Sequence, residues 1–402
     1  MWIKRDIINS LTGMEDTLPV RVLKGPRQTG KTSLLGHLPD YRLVSLDDAA
    51  TRSFAQDQPR LFLDQLGNRL ILDEATLAPN LFFELKRRVD EYRLKLRKES
   101  PTSPLSEPVP SEAPQYWVTG SNQTLLRTAV QESLAGRATY FDLNTLAVHE
   151  LGPLWSLESA LMKGGWPELY VSPHLTPERY LNDFIASFIE HDIVAAAGIE
   201  KRAAFFKILG LSAGRVGQLL NASDIGRTAG VESSTVHSWL SILEQNGILR
   251  SLPVYSSNLN QRLIKTPKLY FEDTALATRL QGWTQSAPLL VSPYFGAMVE
   301  NIALTEISRA FTNRGRVPRV HLLRTKDQVE VDFLIELPNQ RWIAAEVKSS
   351  PQPMTDKQLQ LIDSLKLNIV DHWVISLSTG LIPGPARVIP IPQIWEELSA
   401  HF

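Results

Sequence analysis

The 402-residue chain has no cysteine, which excludes disulfide bonds, thiolate metal ligands and a cysteine nucleophile. No apolar run approaches the roughly 18–20 residues that a membrane-spanning helix needs, and residues 1–10 carry charges without the apolar stretch of a signal peptide. The 42 Lys and Arg almost cancel the 43 Asp and Glu, so the formal net charge of −1 gives no global attraction for nucleic acid. We therefore expect a cytoplasmic protein without a membrane partner, in which any DNA contact depends on local patches.

Apolar runs and helical stretches alternate over the first 145 residues. The runs predict five strands, at residues 21–24, 42–46, 69–73, 116–120 and 139–143. Strands that alternate with helices are typical of a parallel sheet covered on both faces, so we expect a three-layer α/β domain. Residues 99–114 contain five Pro and four Ser, which predicts a disordered insertion within this domain.

The segment after the first strand has the full pattern G-x-x-x-x-G-K-[ST]. It consists of Gly25, Pro26, Arg27, Gln28, Thr29, Gly30, Lys31 and Thr32, and Ser33 follows in an apolar helix. Glycines let backbone N–H groups face phosphates, and the helix N-terminus adds the positive end of its dipole. We predict that this segment and Ser33 bind ATP, with Lys31 on the β- and γ-phosphates and Thr32 on Mg²⁺.

Two acids follow one another at the end of the third predicted strand. The strand RLILD ends in Asp73, and Glu74 comes next. We predict that Asp73 holds Mg²⁺ through water and that Glu74 orients and activates the attacking water. The alternative is a pair of solvated acids at a strand end, and the phosphate-binding pattern upstream argues against it.

Three further polar residues are candidates for the site, and two of them, Ser121 and Arg137, have a second interpretation. Ser121 and Asn122 follow the fourth strand, where one of them would lie beside the γ-phosphate, and Ser121 would serve equally well as a helix N-cap. Arg137 precedes the last strand. It would either reach a neighbouring subunit's site and stabilise transition-state charge, or act as a charge partner for a helix C-terminus. The first role predicts a homo-oligomer, such as a hexameric ring.

Residues 222–249 have the pattern of helix, glycine turn and helix, with apolar positions on one face of the second helix. The next stretch contains Arg262, Lys265 and Lys268, which suit a basic wing. This order predicts a winged helix-turn-helix, whose second helix enters a DNA major groove. Packing within the protein is the alternative, since small polar residues at the helix start do not require base contacts.

A β-hairpin is predicted around Asn339, with cross-strand partners whose numbers sum to 678. Asp332 then faces Glu346, and Lys348 lies on the same face. Opposed side chains have Cβ atoms about 4.5–5.5 Å apart, so two carboxylates repel unless a cation such as Mg²⁺ lies between them. The opposite, apolar face of the first strand is formed by Val331, Phe333 and Ile335.

The ordered series GPRQTGKT, SLDD, LILDEA, TGSN and LAGR resembles prokaryotic AAA-type ATPases, as do GGWPE at 164–168 and YLNDFIASFIEHDI at 180–193. Many members of that group carry a C-terminal domain of unknown function with a restriction-endonuclease-like core. The D…E-x-K set here is similar to that of PD-(D/E)xK nucleases. This resemblance implies that Asp332 and Glu346 hold a metal ion, Lys348 orients or activates the water, and Glu300 on the preceding helix adds a ligand.

We therefore predict a multidomain α/β protein. Its parts are an AAA-type ATPase core at 1–145, a helical lid at 146–205, a winged helix at 206–284 and a nuclease-like domain at 285–402. The expected activity is ATP hydrolysis that drives action on DNA, with branched DNA such as Holliday junctions as a candidate, while the last domain grips or cuts it. The alternatives are a nucleotide-dependent switch with an inactive nuclease-like domain, and a transcription regulator that reads bases.

Overall fold

The computed structural model describes residues 2–12, 18–99, 113–195, 197–256 and 266–402. The chain divides into two compact units, which are described separately. The N-terminal unit comprises residues 5–143 and 313–315, and the C-terminal unit comprises residues 144–312 and 316–402 with the start of the chain. Most of the predicted insertion, and the predicted wing residues Arg262 and Lys265, lie outside the described residues.

The N-terminal unit alternates strands and helices as the sequence predicts. In chain order its elements are α1 Ile8–Thr12, β1 Val20–Lys24, α2 Lys31–Leu35, β2 Arg42–Ser45, α3 Ala49–Asp57, α4 Pro59–Leu66, β3 Arg69–Asp73, α5 Asn80–Glu99, β4 Gln115–Thr119, α6 Gln123–Ser133 and β5 Ala138–Asp142. The strands form one sheet in the order β2-β3-β4-β1-β5, and all neighbouring strands are parallel. The five predicted strands are confirmed.

Both faces of this sheet are buried. Leu70 and Leu72 of β3 pack in one cluster with helix residues such as Leu85 of α5. Ile71, which points the other way, packs in a second cluster with Leu34 of α2. Successive strand side chains alternate between faces, so two helical layers enclose the sheet, and the expected three-layer arrangement is confirmed.

The C-terminal unit is mainly helical before its own sheet begins. Its elements are α7 Val148–Leu151, α8 Leu157–Met162, α9 Glu168–Val171, α10 Pro177–Phe184 with a π-helical continuation Ile185–Val194, α11 Arg202–Ala213, α12 Ala222–Ala229, α13 Ser233–Gln245, β6 Leu249–Leu252, β7 Lys268–Phe271, α14 Thr274–Leu280, α15 Ser286–Leu290, α16 Phe295–Thr312, β8 Val320–Arg324, β9 Glu330–Leu337, β10 Arg341–Lys348, α17 Asp356–Ser364, β11 Asn368–Ser376, β12 Arg387–Pro390 and α18 Ile394–Ser399. One hydrophobic cluster extends from Val148 to Leu398, so the predicted lid, winged helix and nuclease-like segments share a core.

The elements expected of a winged helix are present in order. Gly230 ends α12 with φ of 74°, α13 follows, and β6 pairs antiparallel with β7. Lys268, which the sequence suggested for an exposed basic wing, lies in β7 and is only 4% exposed. That part of the wing prediction is wrong because the Lys268 side chain turns inward toward α16, as described below. Contact of α13 with DNA stays a prediction.

The C-terminal sheet has the strand order β12-β11-β10-β9-β8. Helix α16 precedes it, and α17 connects the parallel strands β10 and β11. From α16 onwards the order is therefore helix, three strands, helix and strand. The β9–β10 pairs run from Leu337 opposite Arg341 to Phe333 opposite Ala345, which is the predicted hairpin register.

The side chains of β9 are not distributed over the two faces of the sheet as predicted. The β8–β9 register shifts at Asp332 and Phe333, where two residues of β9 face one of β8. Such a bulge interrupts the alternation of side chains along a strand. Val331 consequently packs in a cluster with Leu334, while Phe333 packs with Ile335 in another. The predicted common face of Val331 and Phe333 is wrong for this reason.

Candidate nucleotide site and carboxylate cluster

The loop after β1 is shaped by two glycines. Gly25 has φ of 146° and lies against β5, so that a Cβ atom there would meet the carbonyl oxygen of Leu143 at 2.1 Å. Gly30 has φ of 90° and immediately precedes α2. Both conformations favour glycine. The loop therefore presents backbone N–H groups at a helix N-terminus, as a phosphate site requires.

Lys31 begins α2 and folds back over the loop. Its Nζ donates hydrogen bonds to the carbonyl oxygens of Gly25 at 2.9 Å and Pro26 at 2.8 Å. Burial lowers the pKa of Lys31 to about 8, more than the nearby acids Glu74 and Asp73 raise it. The ammonium is thus desolvated and held by neutral carbonyls, and a phosphate group would stabilise its charge.

The predicted magnesium ligands meet at the end of β3. The Thr32 hydroxyl donates to Asp73 Oδ2 at 2.8 Å, and the Thr119 hydroxyl at the end of β4 donates to Asp73 Oδ1. A hydroxyl and a carboxylate that face a solvent-accessible loop suit Mg²⁺, which usually keeps several water ligands. These residues therefore fit the predicted metal, and Thr119 is an orienting contact that sequence reasoning missed.

Glu74, which follows β3, is paired with the residue that follows β4. The residue has a left-handed backbone conformation with φ of 55°. Its Oε2 accepts hydrogen bonds from the backbone N–H of Ser121 at 2.8 Å and from the Ser121 hydroxyl at 3.0 Å. The cap of α6 is Asn122, whose side chain accepts from the Leu125 N–H. The alternative role of Ser121 as an N-cap is therefore wrong, because its hydroxyl is bound to Glu74.

Two buried residues that support the loop were not predicted. The Gln123 amide donates to the carbonyl oxygens of Gly25 at 2.8 Å and Gly120 at 2.9 Å, and its Oε1 accepts from the Gly25 N–H at 3.1 Å. Arg5 donates to the carbonyl oxygen of Thr29 at 2.9 Å. The role of Gln123 could have been suspected because it directly follows Asn122, the N-cap of α6. No local sequence feature points to Arg5.

The remaining residues of the predicted ATP contact set lie around this loop. Arg27, Gln28 and Ser33 are exposed, and Pro26 and Thr29 are buried. The Thr29 hydroxyl donates to the Pro26 carbonyl oxygen at 3.0 Å, which braces the turn from inside. The exposed side chains are therefore the ones that a nucleotide would meet, and the buried ones shape the backbone.

Arg137 lies at the opposite end of the strands from the phosphate-binding loop. Its carbonyl oxygen accepts from the N–H of Val20 at the start of β1, whereas the phosphate-binding loop follows the end of that strand. Five strand residues span roughly 16 Å. The guanidinium makes a two-pronged contact with Asp90 at 2.7 and 2.8 Å and donates to the Ala135 carbonyl oxygen. The structure thus shows a charge partner within the chain, and a role in a neighbouring subunit stays a prediction.

In the C-terminal unit, the predicted D…E-x-K residues come together on β9 and β10. The backbone N–H of Val347 donates to Asp332 Oδ2 at 2.9 Å, and the backbone N–H of Asp332 approaches Glu346 Oε2 at 3.4 Å. Lys348 donates to Glu346 Oε1 at 2.7 Å. Asp332 and Glu346 are 8% and 5% exposed, so their charges need partners inside the protein.

A lysine from another element completes this cluster. Lys268 Nζ of β7 lies 2.9 Å from Glu300 Oε1, 2.5 Å from Glu330 Oε1 and 3.7 Å from Asp332 Oδ1. Glu300 also accepts a hydrogen bond from the Tyr270 hydroxyl. Burial, followed by the charges of Glu300 and Glu346, raises the pKa of Asp332 well above its usual range.

The carboxylate cluster, defined here as Glu300, Glu330, Asp332 and Glu346, does not fit a divalent cation in this geometry. Lys268 already lies among three of its members, and Lys348 is bound to the fourth. Within the described residues, no three His, Cys, Asp or Glu side chains converge in a metal-binding arrangement. The cation predicted between Asp332 and Glu346 is not seen there, because Lys268 approaches Asp332 and Lys348 pairs with Glu346.

Comparison with known proteins divides the chain into three parts. Residues 18–152 match the family described as an AAA domain. Residues 154–287 and 295–394 match two families described as domains of unknown function, DUF8612 and DUF4143. The first match contains the phosphate-binding loop and the acids that end β3. Residues 18–152 form an AAA-type P-loop ATPase domain. The predicted AAA-type part is thereby confirmed, and the nuclease-like nature of the C-terminal segment stays a prediction.

Relatives and solved structures are similar at low identity. An uncharacterized protein of Mycobacterium tuberculosis is 26% identical over 389 residues, which cover 96% of this chain and 81% of the relative. One of Haemophilus influenzae is 21% identical over 353 residues, which cover 83% and 84%. The Walker-type ATPase of Pyrococcus abyssi is 16% identical over 69% of this chain and 95% of its own, with a TM-score of 0.39. The ORC2 protein of Aeropyrum pernix, in ADPNP and ADP complexes, is 13% identical over 68% and 89%, with a TM-score of 0.30.

None of the helices in the described part of the chain has the length and apolar character needed to cross a bilayer.

Proposed function

We propose that this protein is an ATP-hydrolysing, AAA-type motor that acts on DNA. Its C-terminal nuclease-like domain holds the DNA while the AAA-type domain changes conformation with the nucleotide. Branched DNA such as a Holliday junction is the substrate we favour, because a motor joined to a nuclease-like domain suits the recognition of DNA structure. The observation that carries the ATPase part is the convergence of Lys31, Thr32, Asp73 and Glu74 at one edge of the sheet.

The geometry of the loop suggests how ATP is bound. Loop N–H groups and the start of α2 face the β- and γ-phosphates, and Lys31 exchanges the carbonyls of Gly25 and Pro26 for phosphate oxygens. Thr32 and Asp73 would hold Mg²⁺, which would supply positive charge to the phosphates. Charge-assisted hydrogen bonds are stronger than the neutral carbonyl contacts that Lys31 gives up.

Hydrolysis requires Glu74 to leave its contacts with Ser121. Glu74 then accepts a proton from, and orients, the water that attacks the γ-phosphorus. Since Ser121 follows β4 and Glu74 follows β3, a movement of one strand end relative to the other would separate the two side chains. In this structure Glu74 is thus paired with Ser121 and is not available to the attacking water. A bound nucleotide or DNA would favour the conformation in which Glu74 contacts that water.

The part of the proposal that concerns DNA depends on the C-terminal unit. The order of elements from α16 to β11 and the hairpin that joins Asp332 to Glu346 support a nuclease-like domain. Because Lys268 lies within the acids, we favour gripping of DNA over cleavage for this form of the protein. A homo-oligomer is part of the proposal, since motors of this type commonly act through neighbouring subunits.

The test is steady-state ATP hydrolysis with Mg²⁺, measured without DNA and then with single-stranded, duplex and four-way-junction DNA. We expect duplex or junction DNA to raise turnover several-fold, because DNA bound to the C-terminal unit would favour the assembled site. Lys31→Ala is the blank and should show no turnover with any DNA. A slow rate of ATP hydrolysis that none of the DNA substrates increases would contradict the proposed motor function.

A nucleotide-dependent switch is the second candidate, and one observation favours it. Lys268 places a positive charge among three carboxylates of the cluster without a metal, as expected for a domain that binds a partner instead of cutting DNA. Nucleotide would then control assembly. In that case the oligomeric state, measured by light scattering, should differ between ATP and ADP while DNA leaves turnover unchanged.

A further inference from the structure

Both backbone carbonyl oxygens that hold Lys31 also accept a hydrogen bond from a second donor. Besides Lys31 Nζ at 2.9 Å, the Gly25 oxygen accepts from the Gln123 side-chain amide at 2.8 Å. Besides Lys31 Nζ at 2.8 Å, the Pro26 oxygen accepts from the Thr29 hydroxyl at 3.0 Å. A carbonyl oxygen has two lone pairs, so each of these oxygens is satisfied by the lysine together with one neutral side chain.

Both neutral donors are buried side chains of the N-terminal unit. The Gln123 amide also donates to the Gly120 carbonyl oxygen at 2.9 Å and accepts from the Gly25 N–H at 3.1 Å. Since β1 and β4 are paired neighbours in the sheet, this amide bridges the two segments that follow them. The Thr29 hydroxyl lies inside the turn of the phosphate-binding loop. Contacts other than those of Lys31 therefore hold each donor in place.

Release of Lys31 to a phosphate thus leaves neither of the two carbonyl oxygens without a donor. An acceptor that loses its only hydrogen bond in a buried place costs the full desolvation penalty, whereas an acceptor that keeps a donor costs much less. When Lys31 turns to the β- and γ-phosphates, Gln123 remains on the Gly25 oxygen. Thr29 remains on the oxygen of Pro26, which is buried. The loop keeps its shape, and the free energy of the lysine–phosphate contact is available for binding.

We propose that Gln123 and Thr29 are positioning residues for ATP binding, which act through Lys31. They satisfy the carbonyl oxygens that the lysine leaves, and so make its transfer to the phosphates favourable. In this role neither side chain touches the nucleotide. The inference rests on the proposed function of the loop as an ATP site and adds two residues that set its affinity.

The contacts of Gln123 separate this role from general support of the fold. Those with the Gly25 N–H and the Gly120 oxygen do not involve Lys31. Their loss would lower the stability of the protein equally with and without ATP, so it cancels in the affinity for ATP. The contact with the Gly25 oxygen becomes more important when the lysine leaves, and the affinity for ATP therefore reports on it.

The experiment measures KM and kcat for ATP hydrolysis by the full-length protein, and the Kd of a fluorescent ATP analogue. Gln123→Met keeps the length of the side chain and removes its hydrogen bonds, and Thr29→Val keeps the shape and removes the hydroxyl. Each should raise KM and Kd about tenfold, the order expected for one unsatisfied acceptor, with kcat within about twofold of wild type. Support of the fold alone would instead reduce the active fraction, and hence kcat, with KM unchanged.

Gln115→Met is the matched control. Gln115 is another buried glutamine of the same unit, at the start of β4, where it accepts a hydrogen bond from the Tyr41 hydroxyl at 2.6 Å. The start of this strand is the end away from Gln123, which begins α6 after β4. Gln115→Met should lower the melting temperature without a change in KM. A rise in KM equal to that of Gln123→Met would overturn the proposal.

A double-mutant cycle tests whether Gln123 acts through Lys31. In Lys31→Met there is no ammonium to release, so adding Gln123→Met should weaken binding of the ATP analogue by less than about twofold. A loss of affinity as large as in the presence of Lys31 would show that the two side chains act independently, and would overturn the proposal.

The assay contains no DNA, so its result is independent of the proposed action on DNA. If wild-type protein binds ATP and both Gln123→Met and Thr29→Val bind it equally well, this inference is wrong and the proposed ATPase stands. If Gln123→Met does not fold, Thr29→Val decides alone. A wild-type protein that binds no ATP would contradict the proposed function, and this inference with it.

Discussion

The two units each bury a lysine near carboxylates, and the pKa values of the two lysines are shifted in opposite directions. Lys31 is 8% exposed and Lys268 is 4% exposed. Lys31 donates to two backbone carbonyl oxygens, and burial lowers its pKa to about 8. Lys268 contacts the carboxylates of Glu300 and Glu330 at 2.9 and 2.5 Å, and the surrounding acids raise its pKa in spite of burial.

This difference separates a site that awaits a ligand from one that is already neutralised. A buried cation held by neutral carbonyls gains from a phosphate group, because the phosphate supplies the missing negative charge. A buried cation held by carboxylates belongs to a complete network, which resists an added ion and loses stability when one member is removed. Burial of a lysine is therefore informative only together with the identity of its partners.

The largest difference between the two lysines is expected when the positive charge of each is removed in turn. Lys268→Met should lower the free energy of unfolding by about 3–5 kcal/mol, since it leaves buried acids without their partner. Lys31→Met should change that free energy by less than about 1 kcal/mol, because burial already disfavours its charge, yet it should abolish ATP turnover. Urea denaturation and ATPase assays measure both effects.

The same pair of variants provides the control. Lys268→Met should retain ATP binding, as Lys268 belongs to the C-terminal unit and the phosphate-binding loop belongs to the N-terminal unit. Equal losses of stability in the two variants would show that the two lysines are equivalent, and the comparison would fail.

A pH titration of ATP affinity tests the difference in pKa between Lys31 and Lys268. The pKa of Lys31 is lowered to about 8, so the nucleotide-free protein loses this charge as pH rises through 8, and ATP must restore it. We expect ATP affinity to fall about fivefold between pH 8 and pH 9, as a single titrating group requires. The pKa of Lys268 is raised, so Lys268 keeps its charge over this window.

The measurement is a fluorescence titration with a labelled ATP analogue at each pH. Lys31→Arg is the control, because arginine stays charged throughout this range, and its weaker binding should be independent of pH. An equal decline in Lys31→Arg would assign the titration to another group.

The smallest effect is expected at Arg137. Its contact with Asp90 is partly exposed, with side chains 23% and 34% accessible. Arg137→Ala and Asp90→Ala should each cost about 1 kcal/mol or less in stability, with unchanged ATP turnover, as measured by thermal denaturation and ATPase assays. A large loss of turnover in Arg137→Ala but not in Asp90→Ala would instead place the arginine in a neighbouring subunit's site.

Local patterns predicted the parts of both sites that lie on a single strand or on two strands joined by a tight turn. The acids after β3 and the register that brings Asp332 to Glu346 follow from strand alternation and a tight turn. The position of Val331 was missed because a bulge against β8 interrupts that alternation. The Ser121–Glu74 contact was missed because β3 and β4 are separated by the long helix α5 in sequence but are neighbours in the sheet.

Residue type and spacing within a few residues are sufficient to predict the order of elements, the phosphate-binding loop and the acids on the β9–β10 hairpin. The partners of the two lysines are set by the tertiary structure. Lys268 meets Glu300, which is 32 residues away, and Asp332, which is 64 residues away, and no period in the sequence connects them. Charge pairing of this kind depends on distance in space, because Coulomb energy and desolvation are set by what lies within a few ångströms of the buried charge.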